Sequence, residues 1–377
     1  MADDAILLYG APEHNATILW RTGFSAPDPV VYVEAGERRI LVVSPLEYNR
    51  AREQAAVEVG NTNDYGWSEA RRQHPEVTAD AIGIANLLGT LGVTTVRVEP
   101  GFPLGLAREL EQRDVSVTVD AALYGDGRRR KAPHEVEAVA RSQAAAQAAV
   151  QVARVMLAAA EVRDGMLFLD DEPLTSARLI GAIEVDLLRR GLSAEGTIAT
   201  SGPGSANPHA TDTGPIAANQ PVILDIFPQD KRSHYFGDIT RTFVVGEPSA
   251  EWKAMYDAVL GAYRQALSLV RPGAAARDVH VAVCQTLYDA GFSTLVDGFH
   301  RDGVAEMNHG TGHGVGLEIH EAPRVADAPG LLQEGDVITI EPGLYHPEHG
   351  GVRIEDTVAV TADGYRNLTD YPTEWRP

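Results

Sequence analysis

Along the first third of the chain, the apolar positions switch between a spacing of two and a spacing near 3.6. "VVYVEAG" and "RRILVVSP" are rich in β-branched residues and flank Gly36, which predicts two paired strands. "DAIGIANLLGTLGV" has helical spacing, "TTVRVEPG" returns to a strand, "GLARELEQRDV" is helical again and "SVTVDAALYG" is extended. Such alternation predicts an α/β domain over residues 1–125.

A basic, glycine-bearing join follows in "YGDGRRRKAPHE", where Pro133 suits the first turn of a helix. The next run is alanine-rich, and Val136, Val139, Gln143, Val150, Ala153 and Leu157 drift around one face, which reads as a packing surface. A second helix, "LTSARLIGAIEVDLLRRGL", has Thr175 or Ser176 as its cap. A third is opened by Ser249 and closed before Pro272-Gly273, and a fourth is ended by Gly291. Strands are expected at residues 220–228, 237–246, 336–347 and 350–360. Helix, helix, strand, strand therefore occurs twice, which hints at an internal duplication.

The strands carry acids where apolar runs would be expected. Neighbouring strand side chains point to opposite faces, so parity assigns each one. Asp225 lies opposite Val222, Leu224 and Ile226. Asp238 shares a face with Thr240 and Thr242, Glu341 with Thr339, and Glu355 with Arg353 and Thr357. A single acid of this kind is ordinary in a half-exposed strand. Four on converging faces would repel strongly unless cations bind between them. A pair of metal ions about 3.5–4 Å apart, sharing carboxylates and a hydroxide, removes that cost and points to metal-assisted hydrolysis.

"NHGTGHGVGLEIHEAP" adds three histidines, His309, His313 and His320, among alternating glycines. Glycine at every second position costs backbone entropy, so a special conformation or a close approach of the backbone is expected. A helical HExxH site is excluded by the glycines between His309 and His313. A phosphate loop fits poorly, because acids follow where a helix start would be needed.

Charge and composition narrow the partners. With 53 acidic and 32 basic residues the formal charge is −21, which disfavours nucleic acid and anionic membranes. The one cysteine, Cys284, allows no internal disulfide, and the opening "MADDAILLYG" is acidic where a secretory leader is basic. A cytoplasmic protein is expected.

Taken in order, "LDI…GDITRTF", "HGTGHGVGLEIHEAP", "ITIEPGLY" and "GGVRIEDTV" resemble the pita-bread metallopeptidases, and among them the Xaa-Pro peptidases, prolidase and aminopeptidase P. The likeness is strong from about residue 130 and weaker before it, where "ILWRTGF" carries it. It implies an α/β (α+β) protein with a creatinase-like amino-terminal α/β domain over 1–125, used for dimerisation and closure of the active site. The carboxy-terminal pita-bread domain over 126–377 would carry a pseudo-twofold curved antiparallel sheet flanked by helices. Position by position, it implies that Asp225 binds one ion, Asp238 and Glu355 bridge two, and His313 and Glu341 bind the second. Mn²⁺ is expected first, with Co²⁺ or Zn²⁺ as alternatives. Glu341 would carry the nucleophile's proton to the leaving prolyl nitrogen. His209 would contact substrate near the scissile bond, His320 would stabilise the tetrahedral intermediate, His309 would line the proline pocket, and Arg353 would balance the carboxylates.

The implied activity is hydrolysis of Xaa-Pro bonds through a metal-bridged hydroxide. The first expectation is a homodimeric dipeptidase acting on proline-containing peptides. Aminopeptidase P acting on longer peptides is the alternative, and a binding module on a peptidase fold is a distant one. This sequence departs from the family pattern in "DIFPQDKRSHYFGD", about two residues longer than usual, with Ile226, Phe227 and Pro228 replacing small residues. The helix that usually opens the amino-terminal domain is also missing.

Overall fold

The computed structural model describes residues 4–193, 195–210 and 214–377. It divides into two units, Met1–Arg128 and Arg129–Pro377. No helix among the described residues is long and apolar enough to cross a membrane.

The first unit is a six-stranded sheet with helices. Its strands are β1 (Ala5–Gly10), β2 (Val30–Ala35), β3 (Arg38–Val43), β4 (Glu58–Asn61), β5 (Thr95–Val98) and β6 (Ser116–Val119), in the order β4-β3-β2-β1-β5-β6. β2 and β3 pair antiparallel around Gly36, whose φ of 60° suits a residue without Cβ. The helices are α1 (Ala16–Thr22), α2 (Tyr48–Gln54), α3 (Trp67–Gln73), α4 (Glu76–Leu91) and α5 (Leu104–Glu111). Strand alternation splits the core in two. Leu7, Val31, Val33, Ile40 and Val42 pack with Ile84, Leu87 and Leu88 of α4, while Leu8, Tyr32, Leu41 and Val43 pack with Ile18 and Phe24.

The second unit has two halves, each a helix pair on antiparallel strands. In the first half α6 (Pro133–Ala159) and α7 (Ser176–Arg189) cover β7 (Ile198–Ser201), β8 (Pro221–Ile226) and β9 (Ile239–Val244). Pro133 opens α6, and Glu135 turns back to accept the Ala132 N–H at 2.7 Å. Of the two candidate caps on α7, Thr175 is the one used; its Oγ1 accepts the Arg178 N–H at 3.1 Å. In the second half α8 (Ala250–Leu269) and α9 (Ala276–Asp289) cover a sheet ordered β11-β10-β12-β15-β16 and the hairpin β13–β14. These strands are β10 (Gly312–Gly314), β11 (Glu321–Val325), β12 (Val337–Ile340), β13 (Gly343–His346), β14 (Gly350–Arg353), β15 (Asp356–Val360) and β16 (Tyr365–Asn367). The basic join is not a solvated tether at its second end. Arg129 Nε pairs with Asp336 Oδ1 at 2.7 Å, and the Lys131 ammonium is buried against Glu321.

Two of the expected strands are each divided. The run at 336–347 breaks at Glu341-Pro342, because proline has no N–H to continue the ladder. The run at 350–360 breaks at Ile354-Glu355, where the Glu355 N–H leaves its own hairpin and donates to Thr240 O at 3.1 Å. Asp238 likewise sits one residue before β9 rather than within it. Three of the four acids thus lie at strand breaks, where a backbone is free to turn toward a common centre.

Candidate active site

The seam between the halves assembles the site. Asp225 stands directly opposite Thr240, and Thr240 forms an isolated antiparallel bridge with Glu355. Opposed residues project to the same face, so Asp225, Thr240 and Glu355 make one row across the seam. Thr240 Oγ1 donates to Glu355 Oε2 at 2.6 Å and accepts from Arg353 Nε at 3.1 Å. Arg353 Nη2 donates to Asp225 Oδ2 at 2.6 Å.

The second half brings His313 and Glu341. Thr339 Oγ1 accepts the His313 N–H at 3.1 Å and donates to Glu341 Oε1 at 3.2 Å. The alternate glycines here answer a need for space. A Cβ on Gly312 would lie 1.9 Å from Thr339 O, and one on Gly314 would lie 2.3 Å from Ala322 O. Neither glycine has a positive φ, so close strand approach, not a left-handed backbone, is what excludes a side chain.

Asp238, His313 and Glu355 offer ligand atoms within 4.8 Å of one another. His313 Nδ1 lies 3.1 Å from Gly314 O, which can only accept, so Nδ1 carries the proton. The Nε2 lone pair then faces Glu341 Oε1 at 3.4 Å and Asp238 Oδ2 at 3.6 Å. Acceptors facing acceptors at these distances repel. Asp238 Oδ1 is also buried with no hydrogen-bond partner. A neutral imidazole, several carboxylates and an orphaned buried oxygen are the donor set of divalent cations, so the residues present fit metal ions.

Electrostatics agree with that fit. Burial first, then the charges of Glu355, Asp225 and Glu341, push the Asp238 carboxyl well above its ordinary range. Glu355 is pushed up in the same way by burial, Glu341 and Asp225. Burial also raises Glu341, against the opposing pull of His309 and Arg353. Desolvation lowers His309, His313 and His320, so all three favour the neutral ring. Arg353 is a buried cation that opposes the repulsion. Burial works against its protonated form, but Tyr345, Asp225, Glu355 and Glu341 outweigh it.

A cavity of about 910 Å³ opens over this centre, and it is lined by all nine residues singled out in the sequence: Asp225, Asp238, His313, Glu341, Glu355, His209, His309, His320 and Arg353. The His320 ring stands edge-on to that of His313, with centroids 4.4 Å apart. His209 is exposed in the loop after Ala206; Thr211 and Asp212, which follow it closely in the chain, lie outside the described residues. Phe227, from the lengthened hairpin, joins Ile198 and Ile319 as apolar wall.

Sequence reasoning missed three contributors. Tyr345 Oη accepts from Arg353 Nη1 at 2.9 Å and bonds His309 Nε2 at 2.9 Å. His309 Nδ1 donates to Gly310 O at 2.7 Å, which leaves Nε2 to accept from the phenol. Burial pushes the Tyr345 hydroxyl up to about 12. Its place was readable in retrospect: Gly343 pairs with Arg353, and Tyr345 is two residues on, hence on that face. Arg324 lines the cavity too, and the register His313↔Arg324 puts it on the face of the histidine. Thr240 was placed on the right face but given no role.

Residues 141–362 match metallopeptidase family M24. An Xaa-Pro dipeptidase of Pyrococcus horikoshii is 31% identical over 375 residues, spanning 97% of this chain and 92% of that protein. The structure of an Xaa-Pro dipeptidase from Bacillus anthracis superposes with a TM-score of 0.83 at 25% identity, covering 99% of this chain and 94% of that one. An X-Pro aminopeptidase from Thermotoga maritima shares the fold, with a TM-score of 0.81 at 22% identity over 100% of this chain and 98% of its own. With its pita-bread fold and these relatives, the chain belongs to metallopeptidase family M24 and is a metallopeptidase.

Proposed function

We propose that the enzyme hydrolyses Xaa-Pro dipeptides with two divalent ions, Mn²⁺ first and Co²⁺ or Zn²⁺ as alternatives. The observation that carries the reading is the convergence of four carboxylates and a neutral His313 lone pair in one cavity. Asp225 would hold one ion, His313 and Glu341 the other, and Asp238 and Glu355 would be shared. Ions bound there supply positive charge that acidifies water and polarises the scissile carbonyl.

The remaining steps belong to this chain's own groups. Glu341 takes the proton of the attacking water and delivers it to the departing prolyl nitrogen. That nitrogen belonged to a tertiary amide without an N–H, which is why a dedicated site is required. His320 donates to the oxygen that gains charge as the carbonyl becomes tetrahedral, and His209 holds the substrate near the scissile bond. His309 lines the space for the proline ring, fixed there by Tyr345.

The choice of dipeptide rests on Arg324 and on the dipeptidases among the relatives. A dipeptide ends in a carboxylate one residue past the cleaved bond, and Arg324 presents a cation to the cavity with no ion pair among the described residues. Longer peptides carry an amide there and gain less from it. Aminopeptidase P action is the second reading. Comparing Ala-Pro with Ala-Pro-Ala in the presence of Mn²⁺ tests the choice; turnover of the tripeptide alone would reverse it. Arg324→Ala should raise KM for Ala-Pro about tenfold or more, the value of a charge-assisted contact, and change tripeptide kinetics little. A cytoplasmic homodimer is the setting we propose, given the single cysteine and the dimer that the family resemblance implies; light scattering of the purified protein tests the assembly.

A further inference from the structure

Helix α6 looks like a packing element in the sequence, and most of its buried residues are alanine or valine. Gln143 is different. It is fully buried, and its side-chain amide meets the main chain of Asp238 on both sides. Its Oε1 accepts the Asp238 N–H at 2.7 Å, and its Nε2 donates to the Asp238 carbonyl at 2.8 Å. An N–H can only donate and a carbonyl can only accept, so the partners themselves fix the amide's orientation.

The ladder between β8 and β9 ends at Ile226↔Ile239, one residue short of Asp238. Gln143 therefore stands where the next strand would stand. It is held in turn. Nε2 also donates to Thr369 Oγ1 at 2.9 Å, and Thr369 Oγ1 accepts the Thr357 N–H at 3.0 Å. Thr357 Oγ1 closes the ring by donating to the Asp238 carbonyl at 2.9 Å. The chain is shaped to admit this contact: a Cβ on Gly237 would lie 2.6 Å from the main-chain nitrogen of Gln143. The three side chains of the ring, Gln143, Thr357 and Thr369, are all buried.

We infer that Gln143 is a positioning residue for the ion site, fixing the backbone of Asp238 so that its carboxylate keeps both oxygens toward the centre. The inference rests on the metal-dependent reading above. Removal of the amide frees the peptide units on either side of Asp238 and lets the carboxylate swing, which weakens its hold on the ions it would share.

The test reads ion binding, not turnover. The chelator-stripped protein is titrated with Mn²⁺ by calorimetry, and the thermal midpoint of the stripped form is measured alongside. Gln143→Met keeps the shape and removes both hydrogen bonds; it should weaken Mn²⁺ binding about tenfold or more, as loss of a group behind a ligand does. Val150→Ala, fully buried on the same helix and in the same core, is the control and should bind as wild type does. If Gln143→Met does not fold, Gln143→Asn carries the measurement, since its amide is drawn back by one methylene and cannot span both main-chain groups. Wild-type affinity for both ions in the Gln143 variants overturns the inference. So does equal weakening in Val150→Ala at a matched midpoint, which would make the effect a general loosening of α6. A wild-type protein that binds no ion overturns the metal-dependent reading itself and is thereby distinguished from a failure of Gln143 alone.

Discussion

A carboxylate in this centre is costly to the fold and necessary to the chemistry, and Asp238 shows both sides. Its Oδ1 is buried without a partner and its acidity is suppressed by burial and by three neighbouring acids. Asp238→Asn should abolish hydrolysis, since a shared ligand loses its charge. In the metal-free protein it should also stabilise the fold by about 1–2 kcal/mol, because one source of repulsion is gone. Differential scanning of stripped wild type and variant reads this as a rise of about 2–4 °C per kcal/mol. An unchanged or lower midpoint would mean that the repulsion is relieved by other means. At this scale the sequence was informative about the acids, because parity alone put Glu341 on the face of Thr339 and Glu355 on that of Arg353, faces that they occupy. It put Gln143 on a packing face without a role and was silent about Arg324, because helical spacing and strand parity give a residue's face but not what lies across from it.

Elements tell a different story, since the glycine-rich segment was legible as unusual and not as what it is. Gly312 is a spacer between β10 and the Thr339 carbonyl, so the information lies in a strand 25 or so residues away in sequence. Gly312→Ala should cost about 3 kcal/mol or more, the upper end for overpacking, since backbone rather than a side chain must yield. Activity should fall with it, as the displaced strand carries His313; urea unfolding and kcat/KM measured together check this. Helix ends were legible for local reasons: Ser249 caps α8 and Pro133 opens α6. The strand end at Glu341 was marked locally by Pro342, but the one at Glu355 was not legible: it depends on a partner from a distant segment, and continuous apolar alternation hides a change of partner.

At the scale of the whole molecule, ion capture is coupled to protons. Asp238, Glu341 and Glu355 all hold protons more tightly than free carboxylates, so more protons must leave before an ion enters. Mn²⁺ affinity should therefore decline with falling pH well above the ordinary carboxylate range near about 4. Calorimetry from pH 8 to 5, by contrast, would give a flat line if the site's acids titrated normally. The joint between the halves has a further consequence. Two acids come from one half, two acids and an imidazole from the other, and the Thr240–Glu355 bridge is a backbone pairing that joins them beside the site. Ions lodged across that line act as rivets. Deuterium should enter the Glu355 amide faster after chelation, while amides deep in α8 keep their protection, so the loaded enzyme would be one body and the stripped one two leaves on a loosened spine.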